Sequence, residues 1–210
     1  PGFMALAAKS PVPVYAMVRP RIGDFVYCET EIDVMRRDID AARAAGLAGV
    51  VLGANIRTGA LDEAALRTLG AHASGLGTTL HRAIDLVPDI LEAVDIAAEF
   101  KFERILSSGG GKTAVEGIET LSAMIEHAEC RISIMPVSGV SYRSVETLLS
   151  RLEIQEVHGS CSINVNELDA KVLEFGFSPA NTRQTSSVEV AALRRALDQK
   201  MLFSKSSSTM

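Results

Sequence analysis

Cysteine is scarce in this chain: Cys28, Cys130 and Cys161 are the only three, with no C-x-x-C pair and no zinc-finger spacing. An odd and scattered set excludes a disulfide framework. All three are expected to be reduced thiols in or near the core. Positive charge is short as well, with 21 Lys and Arg against 26 Asp and Glu and a net charge of -5. No basic field exists to hold a polyanionic backbone, which argues against nucleic acid as a partner, although a small basic cluster can still bind one phosphate. No apolar run approaches the roughly 20 residues needed to cross a bilayer, so no membrane partner is expected. The first residues, PGFMALAAKS, lack the charged, apolar and cleavage regions of a signal peptide. The expected location is the cytoplasm.

What is present is a repeat. Hydrophobic residues make up 47% of the chain and charged residues 22%, enough for one sizeable core at this length. Short apolar runs fall at Val12 to Val18, Gly49 to Leu52, Thr78 to His81, Arg104 to Ser107, Arg131 to Val137 and Ile154 to His158. Between them, Glu31 to Ala45, Asp62 to Ala73, Pro88 to Glu99, Ala114 to His127 and Tyr142 to Arg151 carry apolar residues three and four apart. The runs predict six strands and the intervals five amphipathic helices. Gly46 stands where a helix needs a left-handed C-terminal residue, and Asp62 and Ser141 stand where N-caps belong. Each unit takes about 25 to 30 residues, the spacing of a parallel β-helix-β crossover. No G-x-G-x-x-G follows the first run, which weakens the dinucleotide-binding sheet and favours a parallel (β/α) barrel of TIM type.

Past Ser162 the repeat fades. Residues 166 to 176 suggest a short helix, 178 to 187 read as a polar loop, and 188 to 200 read as a terminal helix. The expected organisation is one domain over 1–200, with a core at 11–162, a helical tail at 163–200 and a flexible end at 201–210.

Ligands of parallel α/β folds bind at the strand C-termini, so the residues just past each run are the candidates. They include Arg19, Arg21 and Asp24 after the first run, and His81, Arg82 and Asp85 after the third. Ser107, Ser108, Gly109 and Gly110 follow the fourth, Ser138 and Gly139 the fifth, and His158, Gly159, Ser160 and Cys161 the sixth. His81, Asp85, Asp24 and His158 are the candidate proton-moving groups. Arg19, Arg21, Arg82, Ser108, Gly109 and Ser160 are the candidate ligand-binding groups. Against this stands a plainer reading, in which Arg19 with Asp24 and Arg82 with Asp85 are ion pairs bracing the mouth. SSGGGK is too short for a Walker A loop, yet its N-H groups can hold an anion. His72 and His127 fall on predicted helices and are expected at the surface.

The stretches RPRIGDFVY (Arg19 to Tyr27), TTLHRAID (Thr78 to Asp85), RILSSGG (Arg104 to Gly110) and EVHGSCS (Glu156 to Ser162) resemble, in order and spacing, the CutC copper-homeostasis family. The resemblance runs from about residue 11 to residue 162 and implies a (β/α)8 barrel, a cytosolic protein and a role in copper handling. It places Arg19, Arg21, Asp24, His81, Arg82, Asp85, Ser108, Gly109, His158 and Ser160 on the family's polar rim. The family begins with two further strand-helix units, of the form LEVC and RIELC, whose cysteines suit copper(I); this sequence lacks both. Six strands are therefore expected where the family has eight, with a homo-oligomer as one way to cover the open edges. Copper is left with Cys28, Cys161 and His158, a thiolate-poor set that should hold copper(I) weakly. The competing function is an enzyme acting on a small anionic metabolite.

Overall fold

A computed structural model describes the backbone of residues 2–166 and 169–207, and the side chains of these up to residue 199. Helix α1 (Gly2–Ala7) leads into β1 (Tyr15–Met17), and strand-helix units follow in regular succession. They are α2 (Glu29–Ala44), β2 (Gly49–Leu52), α3 (Glu63–His72), β3 (Gly77–Leu80), a 3-10 turn (Arg82–Leu86), α4 (Ile90–Glu99), β4 (Arg104–Ser107), α5 (Ile118–Ala128), β5 (Ser133–Pro136) and α6 (Val145–Arg151). The five strands are all parallel and lie in the order β1-β2-β3-β4-β5. A doubly wound sheet reverses its order at a switch point. This one winds a single way, as in an incomplete barrel of TIM type.

Burial explains the winding. β2 is buried along its whole length, as a strand covered on both faces must be. Helices turn narrow apolar stripes inward to the core: Met35, Ile39 and Ala42 from α2, Ala93, Val94 and Ala97 from α4, and Leu121, Met124 and Ala128 from α5. At the N-terminal end of the sheet the Tyr15 ring crosses Gly49, where a Cβ would come within 2.3 Å of it. Its hydroxyl donates to Glu103, at 2.8 Å.

Local signals held where one residue sufficed. Gly46 ends its helix at φ +78, and Asp62 accepts from the Ala65 N-H. Ser141 is different: α6 starts at Val145, with Ser144 in the cap position, and Ser141 forms the preceding turn by accepting from the Arg143 N-H.

The sixth predicted strand is a correction. Residues 154–158 form no ladder; they make one strand-like bond, from the His158 N-H to the Pro136 carbonyl at 2.9 Å. Ser133 and Val137 donate to the β4 side, so by alternation residues 134 and 136 face the other edge. There Pro136 has no N-H to offer. The segment is held instead through Glu156, whose carboxylate takes Arg104 at 3.2 Å and Ser133 at 2.6 Å.

The segment read as a polar loop also differs. β6 (Ser162–Asn166) and β7 (Asn181–Thr185) form an antiparallel pair, with α7 (Ala170–Glu174) between them. NTRQT is exposed throughout, so no apolar alternation marks it. Helix α8 (Ser187–Ser207) closes the described chain. Its backbone is helical through most of the end expected to be flexible, and residues 208–210 lie outside the described residues. No described helix is long and apolar enough to cross a membrane.

Candidate functional site

After β3 the chain makes a 3-10 turn that His81 caps with its own side chain, Nδ1 accepting from the Ala83 N-H at 3.2 Å. Consecutive residues at this strand end face different neighbours. His81 lies against Gly53, the residue after β2, where a Cβ would come within 2.6 Å of the imidazole. Arg82 reaches the other way, past β4 and β5. Its Nε donates to Asp85 at 2.6 Å, Nη1 to the Ser138 hydroxyl at 2.7 Å, and Nη2 to the Ser108 hydroxyl at 2.7 Å.

Asp85 is the anchor of that group. Its carboxylate, only 5% exposed, also accepts from the Ser107 hydroxyl at 2.6 Å and from the backbone N-H groups of Ser108 and Gly110, at 3.1 and 3.2 Å. The SSGGGK loop is thus bound to a carboxylate of the protein, and its N-H groups are partly spent. Gly109 and Gly110 adopt φ +66 and +74, left-handed values that glycine reaches without strain.

The loop after β1 is largely self-contained. Arg21 bonds Glu31 at 2.5 Å, Asp24 at 2.8 Å and the Val26 carbonyl at 2.7 Å. The hydrogen bond to Arg21 holds the Asp24 carboxyl below its usual range. Asp24 therefore pairs with Arg21, not with Arg19 as a bracing pair would require. Arg19 bonds the Gly23 carbonyl and lies 4.6 Å over the Phe25 ring, which in turn packs 4.6 Å from His81.

Burial and the charge of Arg19 depress the His81 pKa to about 4, burial being the larger cause. With Nδ1 accepting, the neutral ring carries its proton on Nε2 and is a hydrogen-bond donor at neutral pH. A stability consequence follows. Below the ordinary 6.5 the unfolded chain protonates His81, whereas the folded chain does so only near 4, so stability falls as pH drops across that window. The loss from this residue should reach about 3 kcal/mol. Urea denaturation of wild type and His81→Gln at pH 7 and pH 4.5 checks it: the variant should lose most of the slope, and equal slopes would contradict it. Burial lowers the His158 pKa too, which is why the difference between the two proteins, not the wild-type slope alone, carries the result.

The candidates divide accordingly. Arg82, Asp85 and Ser108 meet in one network, which Gly109 borders and to which Ser107 and Ser138 also belong. His81 and Arg19 meet around Phe25. Asp24 and Arg21 belong to their own loop. The Ser160 hydroxyl lies 3.0 Å from that of Ser162. His158 shares the strand-end side of the sheet through its bond to Pro136, but among the described residues no hydrogen bond or ion pair joins its side chain to the Arg82 network. Cys28 is exposed at the start of α2, and Cys161 is half-buried beside Gly159. All three cysteines are free. His72 and His127 sit on helices and pair with Asp40 and Asp95 at 3.0 and 2.9 Å.

Two further polar residues, Asn55 and Tyr27, lie at this end of the sheet without a motif of their own in the sequence. Asn55, just past β2, is 3% exposed and donates to the Gly59 and Ala83 carbonyls. Tyr27, at the end of the RPRIGDFVY stretch, has a buried hydroxyl. Only the position of Asn55 past a strand could have flagged it.

A singly wound parallel α/β sheet with its polar groups gathered at the strand C-termini defines an α/β protein of incomplete TIM-barrel type. The chain belongs to the CutC family, whose model matches residues 1–163. It is 54% identical over 198 residues to a family protein CutC of Rhizobium meliloti (strain 1021), covering 94% of this chain and 81% of that protein. A family protein CutC of Caulobacter vibrioides (strain NA1000 / CB15N) is 48% identical over 199 residues, with the same two shares. Among solved structures, a CutC protein of Streptococcus agalactiae, named for copper homeostasis, aligns with a TM-score of 0.72 and 29% identity, over 75% of this chain and 79% of that one.

Copper fits the donors poorly. Among the described residues no group of three or more His, Cys, Asp or Glu side chains is placed to hold a metal ion, so Cys28, Cys161 and His158 do not assemble into one. His81 cannot supply a lone pair from Nε2 while Nδ1 accepts from Ala83.

Proposed function

We propose that this chain serves copper homeostasis in the cytoplasm, the role for which its S. agalactiae relative is named, by binding a small anionic ligand at the ends of β3 to β5. Free thiols support the compartment. The observation that carries the ligand reading is the posture of Arg82. A guanidinium has five N-H donors; Asp85, Ser138, Ser108 and Gly111 engage four of them. Among the described residues one Nη1 donor is left over, on a side chain that is 39% exposed. The Ser138 hydroxyl accepts from Arg82 and, among the same residues, keeps its own proton to donate. Two donors held at fixed positions suit an oxyanion.

Because Asp85 neutralises Arg82, binding should be weak and geometric more than electrostatic. Titration with inorganic phosphate, followed by NMR or thermal shift, should show saturable binding that Arg82→Gln weakens at least tenfold, about 1.4 kcal/mol. In cells lacking the protein, a copper-sensitivity defect should be restored by the wild-type chain and not by Arg82→Gln. Stoichiometric copper(I) retained against a strong chelator, and lost in Cys28→Ser or Cys161→Ser, would overturn the reading in favour of direct metal binding.

A further inference from the structure

We infer that the ligand taken at Arg82 carries hydroxyl groups beside its oxyanion, and that its hydroxylated end is received by His81, Asn55 and Tyr27 beneath Phe25. The inference rests on the anion reading and extends it.

Among the described residues, two buried polar atoms in this region, His81 Nε2 and Asn55 Oδ1, make no hydrogen bond, and a third, Tyr27 Oη, has none beyond the Arg19 guanidinium beside it. His81 and Asn55 are each 3% exposed. An unmade buried hydrogen bond costs about 1–3 kcal/mol, and each such group calls for an explanation. Shared neighbours tie the three together. Ala83 donates through its N-H to His81 and accepts through its carbonyl from Asn55. Phe25 accepts from the Asn55 N-H and packs its ring on His81. Tyr27 lies two residues beyond Phe25, and the charge of Arg19 bears on both Tyr27 and His81.

Their polarities specify a partner. His81 Nε2 is a donor, because Nδ1 is an acceptor. Asn55 Oδ1 is an acceptor, because both partners of its amide nitrogen are carbonyls. The Tyr27 hydroxyl, with the Arg19 guanidinium as a donor beside it, keeps its own proton to donate. Two donors and an acceptor together match hydroxyls, which accept and donate. A bare anion matches poorly, since Asn55 Oδ1 would face it in a setting that already keeps His81 uncharged. The charge belongs next door. His81 and Arg82 are consecutive at the end of β3, one turned to Gly53 and the other to Ser108 and Ser138, and the inferred ligand spans the two. Its class is a hydroxylated oxyanion, a hydroxy acid or a polyol phosphate. Entry requires Phe25 to move off His81.

The test titrates the full chain, wild type and Tyr27→Phe, with inorganic phosphate, glycerol 3-phosphate and glycerate. At least one hydroxylated probe should bind the wild type tenfold or more tighter than phosphate; glycerol 3-phosphate alone would indicate a phosphate ester, and glycerate alone a hydroxy acid. Tyr27→Phe should cut that ratio at least threefold while leaving phosphate affinity unchanged. Phosphate binding with no gain from either hydroxylated probe overturns this inference and leaves the anion reading standing. Binding of none of the three overturns both. A Tyr27→Phe protein with a raised Tm and an unchanged ratio would assign the three atoms to internal water, and also overturns it.

Discussion

Asp85→Ala is expected to lower the unfolding free energy by about 3 kcal/mol and to abolish phosphate binding together. Removing one partner of a buried ion pair costs about 3–5 kcal/mol, and the lower end applies because Arg82 is 39% exposed and stays partly hydrated. The carboxylate is also the acceptor for the Ser107 hydroxyl and for the Ser108 and Gly110 N-H groups. Its loss therefore frees the loop that carries Ser108, and Arg82 loses its Nε partner at the same time. Asp85→Asn keeps one acceptor oxygen but turns an amide donor toward other donors, so about 1–3 kcal/mol should be lost. Urea denaturation and phosphate titration of both variants provide the measurement. An Asp85→Ala protein within about 0.5 kcal/mol of wild type would mean that the network is not what orders the rim.

Gly117→Ala should cost about 3 kcal/mol and weaken phosphate binding, although residue 117 lies outside the polar network. A Cβ there would sit 1.9 Å from the Ser108 carbonyl oxygen and 3.0 Å from the Gly109 Cα. Every atom in the way is backbone, so no side chain can swing aside. The contact is reciprocal, since a Cβ on Gly109 would sit 2.2 Å from the Gly117 carbonyl oxygen. Overpacking of this kind costs about 1–3 kcal/mol and occasionally more, and relief must come from moving Ser108, which holds Arg82. Gly70→Ala is the control. It lies inside α3 with nothing within 4 Å of the added Cβ, and should stabilise by about 0.5–1 kcal/mol. Thermal melts of the two variants should move in opposite directions; a Gly117→Ala protein that melts with wild type would show that the close approach relaxes freely.

How much was legible depended on the range of the signal. GVVL and RILS were readable as strands with their observed limits, Gly49–Leu52 and Arg104–Ser107, because an apolar run bounded by polar residues is local. NTRQT was not, because a fully exposed strand exists only through its pairing with β6. The sixth strand failed on one atom, the N-H that Pro136 lacks at the edge where residues 154–158 approach. Asp62 and Ser141 looked alike as caps. Only Asp62 acts as one, since Ser144 takes the cap position of α6.

For the site, the amino-acid sequence by itself determined that the repeat is parallel and that its polar residues collect past the strand ends, because alternation, cap chemistry and residue order are properties of neighbours in the chain. The tertiary structure decided who meets whom. Asp24 goes to Arg21 because the loop turns at Gly23, φ +102. Arg82 goes to Asp85, Ser108 and Ser138 because β3, β4 and β5 are adjacent. Asn55 and Tyr27 acquire meaning only once Phe25 and Ala83 bring them to His81. Each of these contacts joins residues whose separation is set by strand order and loop torsion, and neither is encoded in the local pattern that marks the elements themselves.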